Sequence, residues 1–151
     1  MTDCHIEFML LAMAEAKKAR DIHEVPVGAV ITKGSVVIGT GFNSVIRDNS
    51  VVSHAEINAI ISASRNLGNY RLIDCDIYVT LEPCHMCAKA IVDARVKNLF
   101  FGALEPKTGA IVSIDHFLDA PHLNHQINYS SGYLEEESAN LLKQFFQQKR
   151  L

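Results

Sequence analysis

The chain has 151 residues, of which 48% are apolar and 21% charged, and its formal net charge is -3. That balance excludes a disordered chain, and no apolar run is long enough to span a bilayer. The acidic sign also excludes nucleic-acid binding driven by bulk charge, although a local basic rim around a pocket can still serve an RNA. The length is that of one domain, 1–151, with enough chain to bury a core without cross-links. The opening Met1-Thr2-Asp3-Cys4-His5-Ile6-Glu7 carries acids where a signal peptide needs a basic flank, so a cytoplasmic setting is expected. In that setting four cysteines point to metal or reactive thiols before disulfides.

Helix formers without Gly or Pro run from Ile6 to Arg20 and predict a first helix, which Pro26 and Gly28 end. Val27–Thr32 and Val36–Gly41 are β-branched runs, and Lys33-Gly34-Ser35 between them reads as a hairpin turn. A second helix is expected from about His54 to Arg65, capped by Ser53. Asp76–Leu81 is a compact strand, and Pro83 suits the first turn of a third helix that ends near Arg95. Lys97–Gly102 reads as the next strand and Asn128–Tyr133 as a fifth. A last helix runs over Glu135–Arg150, with acids leading and bases trailing as its dipole prefers. An antiparallel opening pair followed by strands separated by helices predicts an α/β fold, a mixed sheet of about five strands with helices on both faces.

Two short segments carry the chemistry: Ser53-His54-Ala55-Glu56 and Glu82-Pro83-Cys84-His85-Met86-Cys87. Each is expected to open a helix, and Cys84 and Cys87, three apart, share one face of a first turn. Two helix N-termini meeting at one point favour anions and help keep both thiols ionised. One imidazole and two thiolates make three protein ligands for Zn2+ and leave a fourth position for water, the arrangement of catalytic zinc. The metal lowers the pKa of such a water, two thiolates blunt that effect, and a carboxylate beside it, Glu56, compensates by accepting the proton. Read singly, the segments have plainer meanings. Ser53-x-x-Glu56 matches a capping box, and Cys-x-x-Cys alone could be a structural zinc half-site or a redox pair. His85, on a helix, points away from the Cys84–Cys87 face and suits a surface or substrate-edge role. Cys4 and Cys75 lack partners at metal spacing and read as a terminal and a buried thiol. His5, His23, His116 and His122 read as surface histidines.

Together, H-x-E followed by P-C-x-x-C is the signature of zinc nucleobase deaminases. Beyond it, Glu24-Val25-Pro26-Val27-Gly28-Ala29-Val30, Asn69-Tyr70-Arg71-Leu72, Lys107-Thr108-Gly109-Ala110, Asn124-His125 and Phe145-Phe146 make the chain resemble the bacterial tRNA-specific adenosine deaminases along nearly its whole length. That resemblance implies a cytidine deaminase-like three-layer α/β/α sandwich and hydrolysis of the wobble adenosine of a tRNA anticodon to inosine. It implies one Zn2+ per subunit held by His54, Cys84 and Cys87, with Glu56 as proton carrier. Asn43 and the backbone at Ala55 would meet the flipped base, Asn124 and His125 the loop nucleotides, and Phe145 a neighbouring base or the core. Its partners would be a tRNA anticodon stem-loop and a second copy in a homodimer. The chain departs from the pattern at Phe42, Ser44, Val45, Val51, Val52, Ser53, Lys89 and Glu105, several of them on the substrate side. Arg47, Arg71, Lys107, Lys149 and Arg150 could form a phosphate rim. A free-base or nucleotide deaminase, for cytosine, dCMP or guanine, and a non-catalytic zinc-stabilised binding module are the alternatives.

Overall fold

A computed structural model describes residues 3–149. Helix α1 (Asp3–Asp21) leads into the hairpin β1 (Gly28–Lys33) and β2 (Val36–Phe42), followed by a one-turn helix α2 (Val45–Asp48) and α3 (Ala55–Leu67). Strand β3 (Cys75–Leu81), α4 (His85–Asp93) and β4 (Asn98–Ala103) come next, then a 3-10 turn (Phe117–Asp119), β5 (Asn128–Ser130) and α5 (Glu135–Lys149). The sheet order is β2-β1-β3-β4-β5. β1 pairs antiparallel with β2 and with β3, whereas β4 lies parallel to β3 and β5 parallel to β4. This is the mixed five-stranded sheet that the order of elements predicts.

Alternation along the strands sorts the core into two layers, because successive side chains leave opposite faces of a sheet. Ala29, Ile31, Ile77, Val79, Leu99 and Phe101 face a cluster shared with α3 and α4. Val30 and Tyr78 face the other way, onto Met9 and Ala12 of α1 and Tyr133. Leu141 of α5 joins Met13 and Ala16 of α1 on that second side. The result is a three-layer α/β/α sandwich.

Small residues set how closely α3 approaches the sheet. A Cβ at Gly41 would fall 2.4 Å from the Ala55 carbonyl oxygen and 2.5 Å from the Ala59 nitrogen, and one at Gly39 would fall 2.5 Å from the Ala63 nitrogen. Ala55, Ala59 and Ala63, at helical spacing on α3, therefore lie directly on β2, and the first turn of α3 is fixed above the end of that strand.

Several boundaries differ from expectation for reasons beyond local propensity. The cap of α3 is His54, in extended backbone, not Ser53, and α3 ends at Gly68 in left-handed conformation. Pro83 lies just outside α4, whose cap is Cys84. β5 stops at Ser130, short of Tyr133, where Gly132 and Leu134 take positive φ. No element was expected over α2. Its N–H groups at Ile46 and Arg47 are satisfied by the Glu24 carboxylate, 22 and 23 residues away, which no local pattern reveals. Arg150 lies outside the described residues. Among them, no helix is long and apolar enough to cross a membrane.

Candidate metal centre and base cavity

The N-termini of α3 and α4 converge. His54 caps one and Cys84 the other, with Cys87 in the first turn of α4. His54 Nδ1 lies 3.4 Å from Cys87 Sγ and 3.7 Å from Cys84 Sγ, and the three ligand atoms fall within 4.8 Å of one another. Tetrahedral zinc with Zn–S near 2.3 Å and Zn–N near 2.05 Å requires neighbouring sulfur and nitrogen ligands to stand about 3.5 Å apart. The observed separations bracket that value, so the donor set fits zinc in both chemistry and spacing. It is the only such group of His, Cys, Asp or Glu among the described residues.

The electrostatics agree with a site built for a cation. A hydrogen bond from the Cys87 thiol, aided by His54 and the Cys87 backbone N–H, holds Cys84 down at about 3, against the resistance of partial burial. The Cys84 contact in turn raises His54. Cys87 is fully buried and its thiol is pushed up, first by its hydrogen bond to Cys84 and then by burial. A divalent ion bound by His54, Cys84 and Cys87 would hold both sulfurs as thiolates.

Glu56 occupies the first turn of α3 and is only 4% exposed. Burial raises its carboxyl from the usual 4.5 to about 7. The capping-box reading of Ser53 and Glu56 fails, because with His54 as cap Glu56 stands one position too early to close the box. The Ala55 N–H is instead satisfied by Asn43 Oδ1 at 2.8 Å. This bond fixes the Asn43 amide with its oxygen toward the helix and its NH2 free to donate elsewhere.

A cavity of about 290 Å3 opens on these groups. His54, Cys84, Glu56 and Asn43 line it, together with the departure Val45 and with Lys149 from α5. Sequence reasoning missed Glu24, Val25, Val27, Ile46, Leu81 and Thr108, which complete the wall. Glu24, Val25, Val27 and Thr108 belong to the segments that carry the family resemblance, and that was the available signal.

Other expected residues lie elsewhere. Ala55 is fully buried and its N–H is taken by Asn43. Asn124 is exposed in the loop before β5. His125 is half-buried with Nε2 2.7 Å from the Val96 carbonyl. Phe145 is 6% exposed, lies under Lys149 at 5.2 Å, and faces a neighbouring cleft with Arg20 and His23. Of the five basic residues, Lys149 alone among the described ones lines the cavity. Arg47 and Arg71 lie over Phe42 and Tyr70. His85 is exposed, as expected from its helix position, and pairs with Asp115 at 3.0 Å. Cys75 is fully buried and Cys4 exposed. His5 is not a plain surface histidine: it is half-buried, stacks on Phe100 and bonds the Tyr78 hydroxyl at 2.7 Å.

The fold and centre place the chain in a class. A family model described as the cytidine and deoxycytidylate deaminase zinc-binding region matches residues 2–103. A tRNA-specific adenosine deaminase of Agrobacterium fabrum is 46% identical over 144 residues, 95% of each chain. A structure solved in studies of A-to-I editing by tRNA:A34 deaminases at the wobble position of transfer RNA superposes with a TM-score of 0.88 at 45% identity, covering 90% of this chain and 99% of that one. A guanine deaminase of Bacillus subtilis is more distant, with a TM-score of 0.64 at 32% identity over 99% of this chain and 94% of that one. This chain belongs to the zinc-binding deaminase family, among the tRNA-specific adenosine deaminases.

Proposed function

We propose that the chain hydrolyses the wobble adenosine of a tRNA anticodon to inosine. The observation that carries this reading is one cavity lined by His54 and Cys84 of a three-residue zinc-type cluster, by a buried carboxylate near neutrality and by an amide NH2 still free to donate. His54, Cys84 and Cys87 would hold one zinc ion per subunit, which supplies a Lewis acid that makes water nucleophilic near pH 7. Glu56 takes a proton from the water that adds to C6 and passes it to the adenine ring nitrogen, then takes a second proton from the resulting C6 hydroxyl and passes it to the amine, which leaves as ammonia as the C6–N bond breaks. A carboxyl near 7 is matched to both directions of that transfer. The Asn43 NH2 donates to the flipped base, and Val25, Val27 and Leu81 pack against its faces. Lys149 supplies positive charge at the rim. Asn124, His125 and Phe145 keep the roles that the resemblance gives them, outside the cavity that holds the base. The same reading carries a cytoplasmic homodimer that binds an anticodon stem-loop across both subunits.

The test is to incubate zinc-loaded protein with an anticodon stem-loop RNA and, separately, with adenosine, cytosine, dCMP and guanine. Inosine in the RNA is expected. Turnover of a small molecule alone would replace this reading with that of a free-base or nucleotide deaminase, the activity named for the Bacillus relative. Light scattering of the purified chain tests the dimer.

A further inference from the structure

A second buried carboxylate stands two residues before the ligand Cys84, and nothing in the deamination chemistry uses it. Glu82 closes off β3 and is 3% exposed. Its Oε1 accepts the Glu105 N–H at 3.0 Å and the Ser113 hydroxyl. Its Oε2 accepts the N–H groups of Ile111 at 3.0 Å, Val112 at 2.8 Å and Ser113 at 3.0 Å. A carboxylate offers about four lone-pair sites, so five donors leave nothing for a substrate or a water. Hydrogen-bond accounting therefore excludes Glu82 as a second proton carrier.

All five donors come from one segment, residues 104–113, which has no regular secondary structure. Gly109 of that segment lies against the carboxyl group, where a Cβ would be 2.3 Å from the carboxyl carbon. The Ala110 N–H donates to the Pro83 carbonyl at 2.9 Å. The segment is thus tied to Glu82 and Pro83, the two residues that lead into Cys84, and it carries Thr108 to the wall of the cavity.

We propose that Glu82 is a positioning residue: it holds segment 104–113 as the Thr108 wall of the cavity and sets that wall relative to the metal ligand Cys84. The inference rests on the deaminase reading for its kinetic arm alone. Free of such a tether, ten irregular residues would sample many conformations, and each substrate molecule would have to order them on binding. The cost then falls on substrate capture, not on the proton transfers at Glu56.

The test is Glu82→Gln, which keeps the shape but turns one acceptor oxygen into an NH2 that confronts backbone N–H donors. Expected are zinc retained as in the wild type, a KM for the stem-loop raised about tenfold, as loss of a charge-assisted hydrogen bond implies, and kcat within about threefold. Amide exchange at Ile111, Val112 and Ser113 should also quicken. Loss of zinc, or a fall in kcat at unchanged KM, overturns the proposal in favour of an effect on Cys84. Should Glu82→Gln not fold, Ser113→Ala removes one donor and leaves four. It is expected to raise KM in the same sense with less effect, and unchanged KM and exchange overturn the proposal. If wild-type protein leaves the RNA unchanged, the substrate reading fails by itself, and exchange at residues 111–113 still decides the role of Glu82.

Discussion

Replacing Glu56 by Gln separates what the carboxyl does in catalysis from what its burial costs the fold. The amide fills the same space, so packing at this 4%-exposed position is preserved. It cannot carry a proton, and kcat should fall about 100- to 10,000-fold, the usual contribution of a general acid/base, with zinc still bound. The stability effect follows from the raised carboxyl of the metal-free protein. Moving it from 4.5 to about 7 disfavours the ionised folded form by about 3 kcal/mol. Between these two values the folded chain holds a proton that the unfolded chain has released, so stability falls as pH rises through that window. The penalty is absent below about pH 4.5 and complete above about pH 7. Urea unfolding of chelator-treated protein across this range should therefore show Glu56→Gln equal to wild type at the acid end and more stable by up to about 3 kcal/mol at pH 8. Stability curves that stay parallel would refute the burial argument, and unchanged turnover would refute the catalytic one.

Cys87→Ala removes a fully buried ligand 3.4 Å from His54 Nδ1, and elemental analysis should find the zinc lost. Asn43→Ala removes both the acceptor for the Ala55 N–H and the NH2 donor that the proposed function aims at the base. It should cost about 1 kcal/mol in thermal unfolding, as loss of a helix cap does, and raise KM for the RNA. A drop in stability without a change in KM would confine Asn43 to the capping role.

Much of this arrangement was legible in advance, for identifiable reasons. Strands β1 and β3 stand in the sequence as β-branched runs and β4 as an apolar one because they lie inside the sheet and are largely buried, whereas β2, at the edge, is legible from its β-branched residues and the turn before it. The His/Cys/Cys cluster was legible because Cys84 and Cys87 share one helical turn, so that spacing alone brings their sulfurs near one point. Local reading failed where a long-range contact overrode it. Ser53 has the better capping chemistry, yet Asn43 reaches across from the end of β2 and moves the start of α3 to Ala55. The turn α2 exists because Glu24 satisfies its N–H groups from 22 and 23 residues away. His5 looks like a surface residue until α1 is laid on the sheet beside Tyr78 and Phe100.

By itself, then, the order of residues determined the α/β class, the ligand types and the pairing of His54 with Glu56 near two cysteines, because these depend on period, composition and short spacing. Tertiary structure decided that Glu56 is a buried carboxyl near neutrality and not a helix cap, since that depends on which residue closes the first turn of α3 and on what excludes water around it. It decided the cavity as well. The walls at Val45, Thr108 and Lys149 come from segments far apart in the chain and meet His54 and Cys84 only in the packed fold, which no local pattern encodes.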